Sequence, residues 1–452
     1  MIFFKTQEES PRTPWKRLGR YQNSTLRFTP GEDFPAHLEK MIGRPLIMRC
    51  FVTLNDVWDY RTGEYTYDYV IGYDRYTDDA SMPVYDRDES KLSPYGLTFL
   101  QYLRSHAEHA DEVCLSIRRY EQEVRCGKLS IETYEKVLEH VLEYYKERVP
   151  NICYIECNEP NFYQFGAMRP FEFYQIHKCL YRVVNRLNAK HRYDKPLLLG
   201  GPCFAGSNPK ENEEFLRLYA LDPDPDKRLD FFSAHAYTTD MTIVPKFYDW
   251  LKKMLSELNL PDLPVHWNEY GATDFCSPDP KHNQINAALS IEMMITMCDR
   301  TDLFIYPWCS YHDPDIQVDR TQYIDFNRAT GYLPTFLGQA YIALSKLLDY
   351  KLEVQGNLLG KGVVTTDGEK YAVLVTNSTD TPENVRFALT DINKSTVNVK
   401  VYTVDALHNN CFIDRTITDL HETDSYDAPV VNGQVEIAQK MDAYGFTLWI
   451  VE

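Results

Sequence analysis

The amino-acid sequence predicts a parallel (β/α)8 barrel over residues 16–348 and an antiparallel β-sandwich over 349–452. Three observations carry this. Short apolar runs alternate with amphipathic stretches along most of the chain, the runs recur at a steady interval, and the pattern then changes to strict period two. The chain has 452 residues, well beyond the ~250–300 at which a single core stops growing, so a large unit plus a smaller one is expected.

The strand-like runs lie at 46–54, 112–118, 152–158, 196–201, 229–237, 264–270 and 303–309, with a weaker first candidate at 18–22. Each is almost continuously hydrophobic, as parallel strands covered on both faces are. From Glu159 to Pro202 is 43 residues, then 33 to His235, 34 to Glu269 and 39 to Trp308. Eight strands at that repeat match a barrel. Helices fill the intervals. The clearest starts at Ser130 as N-cap and places Ile131, Tyr134, Val137, Leu138, Val141, Leu142 and Tyr145 at helical spacing. Others are expected near 94–108, 171–191, 211–221, 243–258, 283–298 and 333–348. No GxGxxG or P-loop opens any of them, which disfavours a doubly wound open sheet. Residues 363–404 and the closing run from Val435 to Val451 then alternate at period two, with D-G and N-S turn signals. The sandwich is assigned there, with residues 1–15 contributing an added strand through IFFKT.

Composition narrows the function. The 48 Lys and Arg against 66 Asp and Glu leave a net charge of −18, a field that repels phosphate backbones and anionic membranes. Neither a nucleic-acid nor a membrane partner is expected, and no apolar run reaches the ~18 residues a membrane span needs. The 11 cysteines are scattered without a CxxC, which reads as buried free thiols and not as a zinc site. The 33 Tyr, 22 Phe and 6 Trp suit a sugar-binding surface, and equally an ordinary core. The N-terminus has only Ile2, Phe3 and Phe4 in place of a leader core, so the chain is either cytoplasmic or has lost a leader. Compartment and association between copies are left open.

Barrels of this kind keep their chemistry at the C-terminal strand ends. Those ends offer Arg49, Arg118 and Arg119, Asn158 with Glu159, Pro202, His235 to Tyr237, Glu269 and Trp308. Glu159 follows the fourth strand in ECNEPNFY, and Glu269 ends the seventh in VHWNEYGA. Strands four and seven face each other across a barrel mouth, so the two carboxyls can meet above the axis. Hydrolysing a glycosidic bond with retention needs such a pair ~5–5.5 Å apart. Glu156, inside the fourth strand, reads instead as a barrel-layer residue bonded to an Arg or Tyr.

These motifs resemble the clan of retaining (β/α)8 glycoside hydrolases. Finer features are similar to glycoside hydrolase family 39, the β-xylosidase and α-L-iduronidase family. They are Gly200-Gly201-Pro202 after strand five, Asp230 to Tyr237 in strand six, Glu269-Tyr270 in strand seven, Asn286-Ala287-Ala288 at a helix start, and Tyr306 with Trp308 in strand eight. The resemblance implies that Glu159 is the acid/base and Glu269 the nucleophile. It also implies that Asn158 holds the sugar 2-hydroxyl, Tyr237 orients the nucleophile, and His235 contacts the sugar or the surroundings of Glu159. Trp308 would floor the sugar subsite and Arg49 would support Glu269. Cys50 and Phe51 stand where that family carries a sugar-contacting histidine.

No cofactor or metal is expected, since two carboxylates supply the proton and the nucleophile. The expected partner is an oligosaccharide or polysaccharide fragment, cut by an exo-acting, β-xylosidase-like enzyme. A uronic acid would require a cation such as Arg118, and an arabinose-specific site is a further alternative. Rivals of other classes are a silent carbohydrate-binding protein and a barrel enzyme of different chemistry, which would lack a Schiff-base lysine at these strand ends. Residues 56–93, rich in Tyr and Asp, are expected to close one side of the mouth.

Overall fold

Hydrophobic runs that cannot face water on either side come together as eight parallel strands. In chain order these are β1 (Tyr21–Asn23), β2 (Ile47–Thr53), β3 (Glu112–Arg118), β4 (Ile152–Cys157), β5 (Leu198–Phe204), β6 (Phe231–Tyr237), β7 (Val265–Gly271) and β8 (Leu303–Pro307). The computed structural model describes residues 1–7, 9–16, 18–24, 34–68, 98–162, 165–272, 280–307, 311–312, 324–327, 331–358 and 360–452. Strand order follows sequence order from β1 to β8. The two end strands meet through side chains: Asn23 Nδ2 donates to the Asn268 and Pro307 carbonyls at 2.8 and 3.0 Å, and the Tyr21 ring packs on Phe304 and Tyr306. The chain is a TIM barrel. Every residue of β2 and of β7 is buried, as strands sandwiched between a packed lumen and covering helices must be.

A helix follows each strand: α1 (Phe34–Ile42), α2 (Phe99–Glu108), α3 (Ile131–Arg148), α4 (Pro170–His191), α5 (Pro209–Leu221), α6 (Ile243–Glu257), α7 (Pro280–Met297) and α8 (Phe336–Ser345). Local chemistry sets their starts. Thr98 and Gln101 form a capping box on α2, and the Ser130 hydroxyl accepts from Thr133 N on α3. Proline occupies the first turn of α4 and α5, where its missing N–H costs nothing. The candidate strand at 18–22 is displaced: Leu18–Arg20 is a turn of 3-10 helix, held by Gln22 Nε2 on the Gly19 carbonyl at 2.8 Å, and the strand begins at Tyr21. Gly200 is required by packing, because a Cβ there would stand 2.1 Å from the Phe231 ring.

Beyond two small sheets of three and two short strands, the remaining described strands form two antiparallel-rich sheets. One contains seven strands, among them Gly362–Thr366, Tyr371–Thr376, Thr396–Val404 and Phe446–Val451; the other contains four, including Glu383–Leu389 and Val435–Met441. Ile2–Thr6 lies inside the four-stranded sheet, parallel to Glu383–Leu389 and antiparallel to Val354–Gly356. Between the sheets Phe4 stacks on Phe387, which meets Trp449 edge to face, in a core of their own. No described helix is long and apolar enough to cross a membrane.

Two histidines under the barrel wall carry a stability signature. His177 Nε2 lies 3.0 Å from the Arg228 carbonyl and His266 Nδ1 lies 2.9 Å from the Tyr306 hydroxyl, both fully inside. Burial pushes His177 down to about 4 and His266 to about 3. An unfolded chain protonates both near ~6.5, so on acidification the unfolded state takes up protons first. Stability should therefore be full above ~6.5 and fall as pH drops toward ~4, His177 alone accounting for about 3 kcal/mol. Thermal midpoints measured across that window check this, and His177→Gln, which can still donate to the Arg228 carbonyl, is expected to flatten the slope.

Candidate active site

At the centre of the barrel lies Arg49, third residue of β2, with no exposed surface. It therefore sits inside the strand and not at its end, where the sequence reading had placed it; β2 continues to Thr53. Its three nitrogens are all engaged. Nε donates to Glu156 Oε1 at 2.5 Å, and Nη1 to Glu269 Oε1 at 2.7 Å and Asn23 Oδ1 at 3.2 Å. Nη2 donates to Asn158 Oδ1 at 2.7 Å and Ser116 Oγ at 3.0 Å, and meets Cys203 Sγ at 3.7 Å. Glu156 is completed by Ser233 Oγ at 2.8 Å and by Asn268 Nδ2. Burial would raise the Glu156 carboxyl, but the Arg49 charge outweighs it and holds the group below its ordinary range.

The two glutamates stand above this layer. Glu269 accepts from Arg49 through Oε1 and from the Tyr237 hydroxyl through Oε2, the latter at 2.7 Å. Burial pushes its pKa up; the neighbouring His235 and Arg49, then the Tyr237 bond, pull it lower than that of a free glutamate. Burial, reinforced by the Glu269 charge, holds the Tyr237 hydroxyl well above its usual value, so it stays a donor. Glu159 lies one residue beyond Asn158 at φ +45°, a left-handed conformation that costs a non-glycine residue ~1–3 kcal/mol. Its N–H donates to the Cys203 carbonyl at 2.9 Å, and its Oε1 lies 2.8 Å from His235 Nδ1. His235 is also 3.5 Å from Glu269 Oε2; burial disfavours its charged form, but Glu269 and then Glu159 overcome this and raise its pKa. One oxygen of Glu159, one of Glu269 and a ring nitrogen of His235 all lie within 4.8 Å of one another.

Backbone irregularities aim these groups. Between β6 and β7, Ala234 pairs with Trp267 but His235 pairs with Glu269, so Asn268 is an extra residue. That bulge turns both Asn268 and Glu269 inward, against strand alternation. Between β5 and β6, Ser233 pairs with Pro202 and Ala234 with Phe204, which makes Cys203 a second bulge residue, at φ +54°.

Of the sequence-predicted residues, the structure brings Arg49, Asn158, Glu159, His235, Tyr237 and Glu269 together. Arg118 stands to one side: its Nε donates to Thr53 Oγ1 at 3.2 Å and its guanidinium shares the Phe51 ring with that of Arg49. Trp308 lies outside the described residues, as does most of the expected lid. The part of that segment that is described folds onto α3, with Tyr67 stacked on Tyr144 at 3.5 Å and the Tyr65 ring tilted against His140 at 4.0 Å. Sequence reasoning missed Asn23, Ser116, Cys203, Ser233 and Asn268. The repeated Asn-Glu dipeptide at 158–159 and 268–269 was the one signal available for Asn268.

Glu159, His235 and Glu269 could bring ligand atoms to one cation, but the Arg49 guanidinium already places positive charge against Glu269. A second such group, Glu143, Glu147 and His191, lies on the outer helices, where Lys190 pairs with Glu143. The central arrangement is built to hold one carboxylate ionised beside a second, differently partnered carboxyl. That is what paired acid and nucleophile chemistry requires.

No protein-family model matches the chain, and no curated protein matches it by sequence. Solved structures do match its fold from end to end. A monomeric beta-xylosidase from Caulobacter crescentus CB15 superposes with a TM-score of 0.70 at 14% identity, over 100% of this chain and 99% of that one. The GH39 enzyme from Xanthomonas axonopodis pv. citri gives 0.68 at 16% identity, over 100% and 97%. A bacterial orthologue of human α-L-iduronidase gives 0.67 at 12% identity, over 100% and 83%. At these identities the likeness is one of fold.

The Arg49 cluster yields a stability prediction. Replacing Glu156 by Gln leaves a buried guanidinium short of one counter-charge, and should cost about 3 kcal/mol in urea unfolding. A loss under ~0.5 kcal/mol, the size expected of an exposed pair, would show that the cluster is solvated.

Proposed function

We propose that this chain is a retaining glycoside hydrolase of the family-39 type, acting on a glycan by double displacement. The observation that carries the reading is the pair Glu159 and Glu269, with carboxylate oxygens within 4.8 Å. That approach favours a retaining mechanism, which needs ~5–5.5 Å between carboxyls, over an inverting one, which needs ~6.5–9.5 Å. The fold shared with a beta-xylosidase and a GH39 enzyme supports it.

In the first step Glu159, protonated, gives its proton to the glycosidic oxygen as the bond from that oxygen to the anomeric carbon breaks. The Glu269 carboxylate attacks the same carbon and forms a glycosyl ester. In the second step Glu159, now ionised, takes a proton from water; the water oxygen attacks the anomeric carbon and Glu269 leaves. Two inversions give net retention. Arg49 and Tyr237 hold Glu269 ionised and in one orientation, since each of its oxygens carries one of their bonds. With its oxygen committed to Arg49, the Asn158 side chain turns its NH2 end to the sugar 2-hydroxyl. The substrate is a neutral sugar at a chain end, of the xyloside type. Arg118, the cation a uronic acid would need, is engaged with Thr53 and the Phe51 face.

A panel of aryl glycosides (xyloside, arabinoside, galactoside, glucoside and glucuronide) tests the reading. At least one should be hydrolysed with retained anomeric configuration by proton NMR. Glu269→Ala should abolish turnover on all of them. Glu159→Ala should lose ~10²–10⁴-fold on poor leaving groups, spare activated phenols, and recover with azide as a glycosyl azide of retained configuration. Inversion by the wild-type protein, or an active Glu269→Ala, overturns the assignment; preference for the glucuronide overturns the neutral sugar.

A further inference from the structure

Cys203 touches the acid/base from two directions. Its carbonyl accepts the Glu159 N–H at 2.9 Å, and its sulfur lies 3.2 Å from His235 Nε2, on the far side of the ring from Glu159. The same sulfur is 3.7 Å from Arg49 Nη2. A guanidinium has only donors, so the Arg49 contact uses a sulfur lone pair, and the one thiol hydrogen stays available to Nε2.

That hydrogen decides where the protons of the His235–Glu159 pair reside. In one arrangement Nδ1 carries a hydrogen and donates it to Glu159 Oε1, while the acid proton sits on Oε2, which has no partner among the described residues. In a second, Glu159 donates its proton through Oε1 to a bare Nδ1. In a third, that proton has crossed to give an imidazolium beside a carboxylate. The second and third both need a hydrogen on Nε2, and both withhold the proton from a substrate. The third is a real competitor, because the charges of Glu269 and Glu159 raise the His235 pKa against burial. Cys203 itself keeps its hydrogen: burial and then the Glu156 charge push its thiol well above the ordinary range. The charged and titratable groups around the imidazole are thus Glu156 and Glu159 of the β4 end, Cys203 of β5, Glu269 of β7 and Arg49 of β2.

We propose that Cys203 is a positioning residue that keeps the catalytic proton on Glu159: its S–H donates to His235 Nε2, which fixes the Nδ1–H tautomer and leaves the acid proton on Oε2. No bond to substrate is involved. The inference rests on Glu159 being the acid, and is specific to a residue that the β5 bulge turns inward.

Nitrogen-15 histidine NMR of the intact, unliganded protein, with His235 assigned through His235→Gln, tests it without requiring turnover. The expected spectrum has a pyridine-like Nε2 and a pyrrole-like Nδ1. Cys203→Ala should shift Nε2 to the protonated type, whereas Cys203→Ser, which retains a donor, should leave it unchanged. In kinetics Cys203→Ala should lose about tenfold on glycosides with poor leaving groups and little on dinitrophenyl glycosides, with KM nearly constant, and Cys203→Ser should restore the rate. A protonated Nε2 in the wild type, equal losses in both variants, or no change in either overturns the proposal. A protein that cleaves no glycoside but shows the expected tautomer would instead sink the enzymatic reading.

Discussion

A guanidinium that has lost all its water is the constraint on which the rest of the molecule depends. Burying Arg49 carries a desolvation cost of several kcal/mol, which only a complete set of acceptors offsets. The barrel provides that set from five strands: Asn23, Ser116, Glu156 with Asn158 close behind, Cys203 and Glu269. Lysine could not replace it, since a point charge with three donors cannot span so many partners in one plane. The consequence is that one cation fixes both the closure of the barrel and the ionisation of the carboxylate at its mouth. Stability and chemistry are here the same set of hydrogen bonds.

Above that layer the two glutamates differ by their company. Glu269 faces a cation and a phenol that cannot ionise at ordinary pH, and is held charged. Glu159 faces an imidazole and has one oxygen without a described partner. Two like groups with unlike surroundings are how a single pocket supports an acid and a nucleophile together. The bulges at Cys203 and Asn268 make the arrangement reachable, because regular strands would turn one of each adjacent pair of inward groups toward the helices.

Much of this was legible in the sequence. Continuous apolar runs at 33 to 43 residue spacing gave the barrel, because strands buried on both faces have no other composition open to them. The Asn158-Glu159 and Glu269 motifs pointed to the mouth, and Glu156, two residues along the pleat from Asn158, read as a barrel-layer residue bonded to an Arg or a Tyr; the partner is Arg49. The first strand was misplaced by three residues, since Leu18 and Gly19 are as buried in a turn as they would be in a strand. The bulges left no mark in the apolar pattern: Cys203 and Asn268 each follow a strand residue and look like ordinary members of it. Asn23, Ser116 and Ser233 were invisible for another reason. A short polar side chain inside a barrel strand is recognisable only once the buried charge it serves is known.

The claim that Glu269 is the nucleophile of a retaining glycosidase can be read directly as a covalent bond. A 2-deoxy-2-fluoro glycoside with a dinitrophenyl leaving group, made from the sugar the protein prefers, forms the glycosyl ester and slows its hydrolysis. Intact mass and peptide mapping then locate it. One fluoroglycosyl unit per chain, attached to Glu269 of the β7 peptide, is the predicted result. An adduct on Glu156 or Glu159, or steady turnover of the parent glycoside without any adduct, would contradict the account.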